Sequence, residues 1–81
     1  MYAIKHIMQF YGSSNRTIVV RDVDTDKPMV FKTRRAAKRH IAELEGHTYH
    51  LRHNQYGYDH RVVDITKPRN AAWFELQCRG Y

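Results

Sequence analysis

The chain runs to 81 residues, with 14 Lys+Arg against 8 Asp+Glu, a net charge of +6, one cysteine and 42% hydrophobic residues. That length holds a single small domain, residues 1–81, with a core of modest size, and a lone Cys closes no internal disulfide. Apolar runs such as Ile18-Val19-Val20 are too short to span a bilayer, and residues 1–6 lack the apolar stretch of a signal peptide. The expectation is a basic protein of a reducing cytoplasm with no membrane partner.

In chain order, residues 2–11 alternate, with Tyr2, Ile4, His6, Met8 and Phe10 on one face, as a strand requires. Residues 12–15 (Gly-Ser-Ser-Asn) carry turn chemistry, and the β-branched stretch 17–23 reads as a second strand. A second turn at 24–28 leads to a short third strand at 29–32. Thr33 then has the chemistry of a helix N-cap, residues 34–45 carry apolar positions at helical spacing, and Gly46 suits a left-handed C-terminal cap. Residues 48–53 and 58–66 read as a hairpin turning at 54–57. After a break at 67–70, Ala72, Phe74, Leu76 and Cys78 alternate as a strand would, although Asn70 could equally cap a short helix. The preferred order is β-β-β-α-β-β-β, an α+β domain whose antiparallel sheet carries one amphipathic helix on one face. Ala37, Ile41 and Leu44 should face that sheet, joined in the core by Ile4, Val19, Phe31, Val63 and Phe74.

Charge placement is more informative than its total. Six bases (Lys27, Lys32, Arg34, Arg35, Lys38 and Arg39) lie between Lys27 and Ala42 with no acid among them, leaving eight bases against eight acids elsewhere. The helix is also charged the wrong way round. Arg34, Arg35, Lys38 and Arg39 crowd its positive end, while Glu43 and Glu45 crowd its negative end. An Arg39–Glu43 pair at i,i+4 would relieve part of that cost. A helix start already offers free amides to an anion, and four bases strengthen that field. Lys32, Arg34, Arg35, Lys38 and Arg39 are therefore the first candidates for meeting nucleic acid or an acidic protein surface. Arg52, Tyr56 and Arg61 join them, because Tyr49, Arg52, Tyr56, Tyr58, His60 and Arg61 interleave aromatic and basic side chains as single-strand binders do.

Six histidines invite a metal reading, but His50 and His53, three apart on a strand, would point to opposite faces. Cys78, in an alternating apolar run, reads as a core thiol. With no phosphate-binding glycine loop and no nucleophile elbow, the expectation is a protein without enzymatic activity, cofactor or metal.

Residues 17–44, in which a strand, an Asp-rich turn and a short strand lead through Phe31-Lys32-Thr33-Arg34-Arg35-Ala36 into a helix, resemble the N-terminal sheet-plus-helix DNA-binding module of phage integrases. That resemblance implies a sheet face laid in the major groove. As a compact basic α+β chain beginning Met-Tyr-Ala-Ile-Lys, the sequence is also similar in type to small phage-encoded accessory proteins, anti-CRISPR inhibitors among them. That likeness implies a non-enzymatic inhibitor in the host bacterial cytoplasm, engaging a CRISPR surveillance complex or nucleic acid and blocking it. The alternative is a small DNA-binding regulator.

Overall fold

The alternation at the start of the chain builds the central strand of the sheet. In a computed structural model, which describes residues 1–46 and 50–79, the elements are β1 (Tyr2–Phe10), β2 (Arg16–Val19), α1 (Arg34–Glu45), β3 (Gln55–Asp64) and α2 (Pro68–Cys78). The strands form one antiparallel sheet in the order β2-β1-β3. Among the described residues the protein is thus α+β, with three strands and two helices.

Tyr2, Ile4, His6 and Met8 share the face under α1, where Arg34 stands over the Tyr2 ring and Phe31 lies against His40. The other face carries Ala3, Lys5 and Ile7, and α2 crosses it. Near the start of α2 the Asn70 side-chain amide donates to the Asp64 carbonyl, and at mid-helix Trp73 lies under the Lys5 ammonium. Near its end, Gln77 Oε1 accepts from the Val19 amide. Ala3 and Ile4, adjacent and pointing to opposite faces, are both fully buried, so both faces are covered at this end.

The structure departs from the expected elements at several points. The second strand stops at Val19, and Val23 is 96% exposed. The Asp22 carboxylate accepts from the amides of Asp24 and Thr25, Asp26 takes φ 56°, and the chain curls away from the sheet. The third strand contracts to two isolated bridges, Arg21 to Pro28 and Tyr2 to Phe31. Residues 50–54 form no strand, Asn54 turns with φ 63°, and Gln55 already begins β3; positions 48 and 49 of the expected strand lie outside the described residues. Phe10, not an earlier hairpin arm, is the partner of Gln55.

The C-terminal segment is a helix. Pro68 at its first turn fixes a helical φ and gives up an amide that would be unbonded there anyway. Asn70, Ala71, Trp73, Phe74 and Gln77 turn inward at helical spacing, whereas Ala72, Leu76 and Cys78 are exposed. The expected core thiol is therefore a surface thiol.

α1 agrees with its expected span, and its N-cap agrees in detail: Thr33 Oγ1 accepts from the Ala36 amide at 3.1 Å. Gly46 differs. Its φ is −75°, a right-handed conformation, and its amide returns to the Glu43 and Leu44 carbonyls. In the core, Ile4, Val19 and Ala37 are buried, but Ile41, Leu44, Phe31, Val63 and Phe74 are only partly covered.

Candidate nucleic-acid interface

Ala37 is fully buried and sets the orientation of α1. At 3.6 residues per turn, Leu44, His40 and Ile41 share its side of the helix, while Arg35 and Arg39 fall on the far side with Lys38 on the flank. Lys32, Arg34, Arg35, Lys38 and Arg39 are all exposed, and none makes an ion pair among the described residues. Arg34 differs from the rest because its guanidinium lies 5.1 Å from the Tyr2 ring centroid, a cation–π contact that holds it to the sheet. Four bases remain open to a partner around a helix start with no acid in its first turn.

The expected Arg39–Glu43 relief is absent among the described residues. Glu43 instead lies 3.4 Å from His40 Nδ1, three residues back on the same helix. Among the described residues the bases of the outer face thus lack that relief.

Arg52, Tyr56 and Arg61 do not join this surface. Tyr56 packs on Tyr11, ring centroids 4.7 Å apart, at the end of β1 opposite α1's start. The nine residues of β1 separate those ends by about 26 Å at the usual strand rise. Arg61 pairs with Lys5 across the sheet on the face away from α1, and its Nε donates to Asp59 at 3.3 Å. Tyr58 and His60 face α1, so the aromatic–basic series is divided between two faces by strand alternation; Tyr49 lies outside the described residues. Arg52 sits in the loop before β3, beside a cleft of about 510 Å³ that also takes in Arg16 and Arg79. No sequence spacing joins positions 16, 52 and 79; only the sheet order does.

A second grouping arises the same way. His6 and His60, directly opposite in register, bring Nδ1 and Nε2 to 2.9 Å, with Tyr58 stacked on His6. Burial, reinforced by the charge of His60, holds the His6 imidazole below the usual histidine range. Burial also lowers His60, against the opposing pull of Glu45 and Asp59. The pair adjoins a second hollow of about 380 Å³ shared with Leu44, His50 and Arg52.

Among the described residues no three His, Cys, Asp or Glu side chains gather as metal ligands would, and no described helix is long and apolar enough to cross a membrane. No family model matches the chain, and neither a curated protein nor a solved structure does.

Proposed function

We propose that the protein is a non-enzymatic binding protein that engages nucleic acid, or a complex handling it, through the outer face of α1. The observation that carries this reading is the arrangement of Lys32, Arg35, Lys38 and Arg39, exposed and without ion pairs among the described residues, around a helix start. Retaining bases there costs helix stability, each by about 0.3–1 kcal/mol, which argues that the surface meets something anionic. Backbone amides and guanidinium groups together suit phosphate oxygens. Bound in this way, the protein acts by occupancy, as a phage-type inhibitor does: phosphates under α1 are closed to any other protein. The cytoplasm of a host bacterium is where such an inhibitor works.

The integrase-type alternative needs a bare sheet face to enter the major groove. α1 lies over one face and α2 crosses the other from Asn70 to Gln77, which favours readout by the helix surface instead. The test is binding of a labelled mixed-sequence DNA duplex by the parent and by a triple variant, Arg35→Ala with Lys38→Ala and Arg39→Ala. A loss of at least about tenfold is expected from three phosphate contacts, with an unchanged circular dichroism spectrum. Equal binding by a folded triple variant rejects the proposal.

A further inference from the structure

The cleft at the outer edge of β2 has the features of a peptide site, independent of α1. Met8 and Gln77 are its buried lining, the Gln77 Oε1 already taken by the Val19 amide, while the apolar Ile18 and Leu76 remain 43% and 51% exposed. Two large aliphatic side chains thus line one concave surface, where a ligand's apolar group could bury both. Around them stand the bases Arg16, Arg52 and Arg79. Arg79 is held by Glu75 at 2.8 Å, whereas Arg16 and Arg52 make no ion pair among the described residues. Arg21, also nearby, is committed to the carbonyls of Gln77 and Asp26 and so serves the fold.

The backbone adds direction. The Val20 amide bonds to Ile4, so alternate residues of β2 turn toward β1, and Thr17 turns its N–H and C=O outward along the cleft. Two residues on, the Val19 amide is taken by Gln77 Oε1. Among the described residues the open edge of β2 is therefore Thr17 alone, enough to align an extended chain without accepting a whole strand.

We infer that this cleft binds a short extended peptide segment of a protein partner, presenting one apolar side chain flanked by carboxylates. The apolar group covers Ile18 and Leu76, the carboxylates meet Arg16 and Arg52, and the peptide backbone supplies the donor and acceptor that Thr17 faces. A nucleic-acid strand matches the arginines but offers no aliphatic group for Ile18 and Leu76.

The test is selection of a library of random short peptides on the intact protein, followed by fluorescence anisotropy with the labelled consensus peptide. The expected consensus is an apolar residue flanked by Asp or Glu. Its affinity should fall about tenfold or more in Arg52→Glu and in Leu76→Glu, as hot-spot truncations do. It should hold in Arg69→Glu, a charge reversal at the far end of α2. Ile18→Thr replaces Leu76→Glu should circular dichroism show the latter unfolded. Selection without a consensus, a consensus lacking acids, or equal binding by folded Arg52→Glu overturns the assignment. So does displacement of the peptide by inorganic polyphosphate at equal charge concentration, which would make the cleft a general anion site.

Discussion

His6 and His60 show what a cross-strand register can create from unremarkable residues. At 2.9 Å the two ring nitrogens share one proton well and two badly. Both imidazoles are held below their ordinary pKa, so the folded state binds fewer protons than the unfolded chain in the window beneath about 6.5. Their contribution to stability is complete above that value and is lost as pH falls through the lowered folded values. Urea unfolding at pH 7.5 and 5.5 should give a lower midpoint at the acid pH, and His6→Gln should reduce the difference while leaving the share that burial of His60 supplies. An equal acid loss in His6→Gln would show that the pair is not its source. The carboxylates of Asp22 and Asp64, lowered by hydrogen bonds from their own turns, act in a separate window near and below pH 4. Packing at single residues follows burial in the same way. Ile4 is fully enclosed, and Ile4→Ala should cost about 2–5 kcal/mol in denaturant titration. Leu44, half-buried beside two hollows, should cost less than that range. The side of β1 on which His6 falls was readable from alternation alone. Its partner was not, because a contact spanning 54 residues depends on how β3 enters the sheet.

Among the elements, α1 was legible because its N-cap, period and length agree: Thr33, then Ala37, Ile41 and Leu44, although Gly46 closes it in a right-handed rather than a left-handed conformation. α2 was misread because Ala72, Phe74, Leu76 and Cys78 alternate by accident. The decisive signals were Pro68 at the helix start and the inward set Asn70, Trp73, Phe74 and Gln77. Charge on α1 gives a prediction of its own. Arg35→Glu removes a base from the first turn and adds an acid, each change favourable by about 0.3–1 kcal/mol, so the unbound variant should melt higher while binding DNA more weakly. The sheet edges give another. On β3 the outward amide of His60 donates to Asp59 Oδ1 at 2.9 Å and so is closed to a neighbouring strand, and the Asn70 side-chain amide donates to the outward carbonyl of Asp64. Gln77 does the same for Val19 on β2. Such edges otherwise invite pairing between molecules. Asp59→Ala should therefore raise self-association in sedimentation velocity relative to the parent. Gln77→Ala, leaving a buried amide unsatisfied, should lower stability by about 1–3 kcal/mol.

For the whole molecule, the arrangement is a thin core between two helices with different outward faces. Ile4 and Val19 are the largest fully buried side chains among the described residues, while Ile18, Leu51, Tyr56 and Leu76 remain open. The basic segment could be located from charge alone, since nothing in it is acidic and it lies within a single helix and its approach. The arginine cleft could not, because its walls come from β2, the loop before β3 and α2. Phosphate binding by α1 is measured by the slope of log affinity against log salt for a DNA duplex. Each phosphate contact contributes about −0.9, so Lys32, Arg35, Lys38 and Arg39 together predict a slope of roughly −3 to −4. Replacing any one of them with Ala should make the slope shallower by about one, while Arg34→Ala, already spent on Tyr2, should change it less. A parent whose slope is near zero, or four single variants that retain the parent's slope and affinity, would contradict the assignment of α1 as the phosphate-binding surface.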